Sequence, residues 1–424
     1  MPHKSLRRKA IDYMQAKVDN LRLLYNIQEA MDKDDSSTDE EFIQQSDKLH
    51  KMKQNRYLFR SSTYRTERNK FDIDDALSYQ SYNYNDAEFL FLFRITRDSF
   101  FLFLEEMKTK DAFKNVKSKT SHQRPVAFQL LVFLYRIGRE GKAGGCDDVG
   151  QFFGIAKGSV KNYVRRTVLA LLEMEEEVVY WPDASQRKEI RKRLIAYGFR
   201  HCVGIIDGTL IILDNRPQAY HECYFSRKSF YSLNVMIICD DKNRVLYYNA
   251  GWPGSTHDNR VFRNSDIFTN REDYFSEYEY LLGDSAYSSS SVMVQSFKKE
   301  AAQAVLPGNK GFFNTALAQV RICSEHCIGM LKGRFQCMKR NNIKLKHDKQ
   351  EVKELVELIG ACIIMHNLLI NYNEDEIPSS WYDEMENNID WTLYDEEEED
   401  IGHVRNEGQD RRQYVFNSLV NNYL

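Results

Sequence analysis

The sequence predicts an α/β protein: a mixed five-stranded sheet with flanking helices, preceded by an all-α region that holds a helix-turn-helix. Three observations point there. Apolar residues recur at helical spacing through residues 87–172, switch to strand spacing near residue 199, and return to helical spacing at 315–339 and 349–370. Two of the strand-like runs carry an aspartate, Asp207 and Asp284. Burying an unpaired carboxylate costs several kcal/mol, roughly, so a core strand carries one only with compensation.

In chain order, residues 9–32 place Ile11, Met14, Val18, Leu21, Leu24, Ile27 and Met31 on one stripe, a coiled-coil or partner-docking helix. Residues 32–41 read as a charged linker. Residues 48–70 interleave Lys51, Lys53, Arg56, Arg60, Arg65 and Arg68 with Tyr57 and Tyr64, either a solvated helix face or an arm that tracks phosphates. Residues 87–107 read as helix, turn, helix with Thr96 as N-cap, and 126–136 as another apolar helix.

After a break at 141–145 comes a short helix at 147–153, a turn at Gly154-Ile155-Ala156 and a longer helix at 157–172. Val160, Tyr163, Val164, Val168 and Leu171 would face inward, leaving Lys157, Lys161, Arg165 and Arg166 outside as DNA-binding candidates. Many helix pairs share this spacing without touching DNA.

Strand candidates are 202–207, 210–213, 231–239 and 245–251, then 280–283 ending at Asp284, and a last one at 304–306 before Pro307-Gly308. Beyond Asn371 the chain is acidic and expected to be flexible. The expected division is 1–86, helical and basic; 87–198, helical with the helix-turn-helix; 199–372, the sheet domain; and 373–424, an acidic tail.

Charge and cysteines narrow the class. The formal net charge of −3 hides an asymmetry, because residues 374–400 hold 13 acids and no Lys or Arg. Without them 59 bases face 49 acids, so the rest of the chain is about +10, which suits a polyanion partner. The tail could solubilise, compete with DNA, or dock a partner through Trp381, Tyr382, Trp391 and Tyr394. No run approaches 18 consecutive apolar residues, so no membrane partner is expected, and the start lacks the apolar core of a secretory signal. Eight scattered cysteines without a CxxC pair suit reduced thiols.

Asp207 is the residue to explain. Gly208 and Thr209 beside it leave room for something to approach, although Asp207 could also cap a turn between two short strands. Asp207, Asp284 and Glu325, borne in turn by strand, strand and helix, are three oxygen donors that a flanked sheet can bring together. Oxygen-only clusters suit Mg²⁺ or Mn²⁺, and two such ions about 3.5–4 Å apart can drive an in-line phosphoryl displacement.

Residues 199–370 resemble the catalytic domain of PIF/Harbinger-type transposases and their host-domesticated nuclease relatives, members of the DDE superfamily with an RNase H-like fold. The matching stretches are Gly198-Phe199 through Gly204-Ile205-Ile206-Asp207-Gly208-Thr209, Pro253-Gly254-Ser255-Thr256-His257-Asp258 and Leu282-Gly283-Asp284-Ser285-Ala286-Tyr287. They continue with Leu306-Pro307, Glu325 through Phe335, and His366-Asn367. Upstream, Phe93-Arg94-Ile95 and the helix-turn-helix extend the likeness to roughly 87–370.

The resemblance implies that Asp207, Asp284 and Glu325 are the catalytic and metal-binding triad of a nuclease that takes Mg²⁺ or Mn²⁺. Asp258 and His257 are auxiliary, since they follow a strand and a Pro-Gly turn that can reach the same cleft. Lys332 and Arg334, on or just beyond the Glu325 helix, are either DNA-backbone contacts or a solvated basic face. The glutamate helix departs from the family pattern by carrying Cys323, His326 and Cys327, which are read as packing residues rather than zinc ligands. The implied partners are double-stranded DNA, a separately encoded Myb/SANT-like DNA-binding protein and further copies of the chain. The implied location is the nucleus, or the cytoplasm without that partner. The other reading keeps the fold in a domesticated, catalytically silent protein associated with DNA or chromatin.

Overall fold

The structure, a computed structural model, describes residues 6–30, 36–54, 71–81, 83–114, 123–298, 308–345, 349–382 and 402–423. The contact pattern divides the chain into two units, Met1–Arg68 and Asn69–Leu424.

The first unit pairs helices α1 (Leu6–Ala30) and α2 (Ser36–Gln54) around Ile11, Val18 and Leu49, with Met14 and Phe42 against them. Ile11, Met14 and Val18 of the stripe expected at 9–32 thus face α2, while Leu24, Ile27 and Met31 lie outside the described side chains. Helix α2 takes up most of the expected linker at 32–41. The basic stretch 48–70 lies, from Lys51 onward, outside the described side chains.

The all-α part of the second unit follows its sequence signals closely. Helices α3 (Asp86–Phe93) and α4 (Arg97–Lys108) meet at Arg94, which adopts the left-handed conformation. Thr96 caps α4 by accepting the Ser99 N–H at 3.2 Å. Helix α5 (Val126–Ile137) is buried along most of its length. Helices α6 (Cys146–Phe152) and α7 (Lys157–Leu172) are joined by a turn at the expected place, with Gly154 at φ +65°, where a Cβ would be strained.

The sheet has six strands rather than five: β1 (Cys202–Leu213), β2 (Ser232–Cys239), β3 (Val245–Pro253), β4 (Tyr280–Gly283), β5 (Met293–Gln295) and β6 (Arg340–Asn341). The order is β3-β2-β1-β4-β5, with β6 on the far end of β1. The β1–β2 and β2–β3 pairs are antiparallel; β4 and β6 run parallel to β1, and β5 parallel to β4.

Residues 202–207 and 210–213 are one continuous strand, and Asp207 pairs with Ile237 in mid-ladder. This removes the turn-cap alternative. Strands β5 and β6, three and two residues long, are too short to leave a periodicity. The strand expected at 304–306 lies outside the described residues.

Helices α8 (Ala184–Leu194), α9 (Asp258–Arg263), α10 (Asn309–Arg334), α11 (Lys349–Asn371) and α12 (Gly402–Tyr423) complete the second unit. One cluster of buried side chains runs from Phe89 through α5 and α7 into β1, β2 and α11, so the helical region and the sheet share a core. By length and composition α11 could cross a membrane, but most of its apolar stretch is buried in that core. His366 and Asn367 fix it there: Asn367 bonds the Val245 N–H and the carbonyls of Val178 and Val245, and His366 Nε2 lies 2.8 Å from the Asn243 carbonyl.

The tail differs from the flexible segment expected. Glu374 accepts from the Thr96 N–H and hydroxyl at 3.1 and 2.9 Å and pairs with Arg334. Trp381 is buried beneath the Arg94 guanidinium, 4.4 Å from its ring centroid. Further on, α12 inserts Val415 and Leu419 into the core beside α8, β4 and α10. Composition misled because these few apolar and paired residues are diluted by the acids around them. Trp391 and Tyr394 lie outside the described residues.

Candidate active site

β1 brings Asp207 into the interior because its neighbours on both sides, Ile205-Ile206 and Ile211, are fully buried. Parallel pairing aligns Ile205 with Leu282, so Asp207 and Asp284, each two residues further on, stand at the same level on adjacent strands. Strand spacing is about 4.8 Å, and Asp284, one residue past the end of β4, is near enough for its charge to raise Asp207. Asp207 Oδ1 accepts the Gly208 N–H at 2.8 Å, and Asp284 Oδ1 accepts the Ala286 N–H at 2.9 Å.

The room beside Asp207 is filled by Asp258. A Cβ on Gly208 would sit 2.4 Å from Asp258 Oδ1, so the glycine is what lets this carboxylate approach β1. Asn234 of β2 holds it from the other side, Nδ2 donating to Asp258 Oδ1 at 2.7 Å and to the Thr256 carbonyl at 2.9 Å. His257 stands exposed at the N-cap of α9 and makes no capping bond with its side chain.

Glu325 enters from α10 and is about one-third exposed. Arg321, one helical turn earlier, lies between it and the strands: Nη2 is 3.3 Å from Asp207 Oδ2 and 3.5 Å from Glu325 Oε1. One guanidinium nitrogen thus touches two of the three expected triad members.

The electrostatics follow from burial. Desolvation pushes the Asp207 carboxyl up to about 7; Arg321 opposes this, while Asp284 and Asp258 add to it. Although the two are in contact, Arg321 does not bring Asp207 back to an ordinary carboxylate range, because it touches one oxygen of a mostly buried group. Desolvation also raises Asp258, against the Asn234 hydrogen bond. Burial pulls the Arg321 guanidinium down, and Asp207, Asp284 and Glu325 more than offset that.

Tyr287 adds a buried hydroxyl that feels Asp258, Asp207 and Asp284, and its oxygen has no hydrogen-bond partner in the structure. Oxygen-only donors carrying more negative charge than one arginine neutralises fit a hard divalent cation in chemistry. As placed, no three His, Cys, Asp or Glu side chains among the described residues stand close enough to hold a metal ion together, and Arg321 occupies the gap.

The expected basic residues fare differently. Lys157 and Lys161 are exposed on α7, Lys157 pairing with Asp147 at 2.6 Å. Arg165 and Arg166 are half-buried rather than outside: Arg165 pairs with Glu357 of α11, and Arg166 donates to Gln129 of α5 at 3.2 Å. Lys332 Nζ donates to the Leu210 carbonyl at 2.9 Å. Arg334 is 2% exposed and bonds Glu374 and the carbonyls of Arg94, Glu374 and Glu376. Neither side chain projects freely to solvent as a DNA contact would: helix α10 turns them inward, where backbone carbonyls and Glu374 take them up.

Cys323, His326 and Cys327 diverge as well. Cys327 is fully buried and donates to the Asn243 carbonyl at 3.3 Å, whereas His326 stacks on Tyr382. Residues not singled out from the sequence are Arg321, Asn234 and Tyr287. For Arg321 the signal was present, a base four residues before a candidate acid on one helix.

Comparison with known proteins agrees with this geometry. The family model described as DDE superfamily endonuclease matches residues 206–367, which contain Asp207, Asp258, Asp284, Arg321 and Glu325. HARBI1 of Mus musculus, named as a candidate nuclease, is 23% identical over 229 residues, covering 54% of this chain and 63% of that protein. The protein antagonist of like heterochromatin protein 1 of Arabidopsis thaliana is 22% identical over 249 residues, covering 55% of this chain and 61% of the relative. An ALP1-like protein of the same plant is 24% identical over 304 residues, 68% of this chain and 71% of the relative. No solved structure matches. The mixed sheet with flanking helices is consistent with the RNase H-like DDE fold. Residues 206–367 match the DDE superfamily endonuclease model, and the chain is similar to HARBI1 and to the ALP1-like proteins, spanning less than two thirds of the length of HARBI1.

Proposed function

We propose that the chain is a metal-dependent DNA endonuclease of the PIF/Harbinger type, hydrolysing phosphodiester bonds and joining strands with two divalent ions. The observation that carries this reading is Asp207 on a buried strand, raised by the nearby charges of Asp284 and Asp258 and contacted by one cation, Arg321. Such a cleft costs stability, and it has a use when a cation joins it.

Asp207 and Asp284 would hold Mg²⁺ or Mn²⁺ from the strands and Glu325 from the helix. The chemistry such ions supply is activation of water and stabilisation of the leaving oxygen in an in-line displacement. Asn234 and the bare Cα of Gly208 hold Asp258 in place beside Asp207. The apolar residues around β1 keep water from the back of the site.

Double-stranded DNA is the proposed substrate. Arg216, Arg227 and Lys228 in the segment after β1 and Arg260 on α9 are exposed and supply positive charge, and Arg227 stabilises the Asp258 carboxylate. Lys157 and Lys161 are the members of the helix-turn-helix left for phosphate. The α1–α2 hairpin exposes Tyr13, Leu23 and Ile43, which suits docking of a separately encoded Myb/SANT-like protein. A homo-oligomer acting in the nucleus, or held in the cytoplasm without that partner, completes the reading.

The test is nicking of plasmid DNA with Mg²⁺ or Mn²⁺ by the wild type and by Asp207→Asn, Asp284→Asn and Glu325→Gln. Cutting by the wild type alone supports the proposal; equal cutting by any one variant removes that residue from the triad. A second reading, a catalytically silent chromatin-associated protein, is favoured by the heterochromatin-related name of the Arabidopsis relative. It predicts no metal-dependent nicking by the wild type and chromatin association unaffected by the three substitutions.

A further inference from the structure

Four arginines of the second unit, Arg97, Arg187, Arg321 and Arg334, are largely buried against acids, and one of them, Arg321, is incompletely bonded. Arg187 donates Nε to Glu279 at 2.7 Å, Nη1 to the Pro182 carbonyl at 2.8 Å and Nη2 to Ser276 at 2.9 Å. Arg334 is bonded to Glu374 and three backbone carbonyls. Arg321 is 8% exposed, yet its acid contacts run through one nitrogen at 3.3 and 3.5 Å, and its Nε has no hydrogen-bond partner in the structure.

A guanidinium offers five donors in a rigid fork and, where it is a structural anchor, uses most of them. Here the attraction is mainly one of charge, with little directional bonding to lock it. The buried Tyr287 hydroxyl, which feels Asp258, Asp207 and Asp284 and has no hydrogen-bond partner, also marks the cleft as incomplete.

We propose that Arg321 is the resident counter-ion of the acid cleft, standing between Asp207 and Glu325 in the metal-free protein and displaced from Asp207 when a divalent cation binds. The arginine and the cation compete for the same carboxylate oxygen and repel each other at close range. Because Arg321 and Glu325 share one face of α10, a swing of the guanidinium away from β1 frees both acids together. The inference rests on the metal-dependent reading above for the identity of the displacing ion. Its counter-ion half stands without metal.

The experiment measures Mn²⁺ binding to the full chain by electron paramagnetic resonance of free Mn²⁺, together with thermal melts in EDTA. Arg321→Met keeps the apolar stem and removes the charge; Arg321→Lys keeps a charge. Displacement predicts that Arg321→Met binds Mn²⁺ on the order of tenfold more tightly than wild type, with Arg321→Lys near wild type. In EDTA, Arg321→Met should melt below wild type, and adding Asp207→Asn should restore most of that loss.

Equal or weaker Mn²⁺ binding by Arg321→Met overturns displacement and makes Arg321 a residue that positions Glu325 beside the ion. Additive melting losses overturn the counter-ion role. If neither wild type nor variant binds Mn²⁺, the metal-dependent function and displacement fall together, while the EDTA melts still decide the counter-ion role.

Discussion

The acid cleft on β1 and the helix pair α6–α7 both carry chemically suggestive sequence, and folding treats their charges in opposite ways. On α7, Arg165 and Arg166 are taken up by Glu357 and Gln129, and Lys157 by Asp147. In the cleft, one loosely bonded arginine faces Asp207 and Glu325 while Asp258 and Asp284 crowd the same strand. A charge whose partners are complete is explained by the fold. A set of charges that the fold leaves unbalanced calls for a ligand.

The largest expected effect sharpens this contrast inside the cleft itself. Asp284→Asn should abolish metal-dependent nicking, whereas Asp258→Asn, at a carboxyl already held by the Asn234 amide, should leave measurable cutting; plasmid nicking rates decide. If Asp258→Asn alone is inactive, Asp258 takes the second place in the triad.

Next comes Arg334, whose sequence position suggested DNA contact. Arg334→Met leaves the half-buried Glu374 with only its Thr96 hydrogen bonds and should cost about 3 kcal/mol in urea unfolding. The affinity of the remaining folded protein for duplex DNA should stay unchanged; a selective loss of affinity would return Arg334 to the DNA surface.

A smaller effect concerns pH. Because the folded Asp207 carboxyl is raised to about 7 against about 3.9 unfolded, the native state binds the extra proton between those values. The contribution of Asp207 to stability is therefore greatest at low pH and falls as pH rises towards 7. In EDTA, Asp207→Asn should melt close to wild type near pH 5 and above it near pH 8, and a constant gap across that range would contradict the burial argument.

The smallest effect tests the basic helix. If Lys161 alone touches phosphate, Lys161→Ala should reduce the log–log salt slope of DNA binding by about one unit, and Arg165→Ala with Arg166→Ala should add nothing. A drop of about three units for all three together would mean that their internal partners release them to DNA.

The elements were legible because their signals are local. The helix pair, Thr96 as a cap, α10 and α11 each follow from a repeat a few residues long, and Asp207 was conspicuous because it interrupts a buried strand. What stayed hidden were β5 and β6, too short for a pattern, and the docked start of the tail, where Glu374 and Trp381 are masked by acidic composition.

By itself the sequence determined an α/β fold with a carboxylate in its core strand, since strand and helix periodicities are written residue by residue. Tertiary structure decided which charges are spent on the fold. Arg165 meets Glu357 across 192 residues, Arg321 meets Asp207 across 114, and Arg334 meets Glu374 across 40. A side chain's partner is fixed by where the packed core brings distant segments together. The same kind of basic residue therefore becomes a core anchor on one helix turn and the counter-ion of a cleft on another.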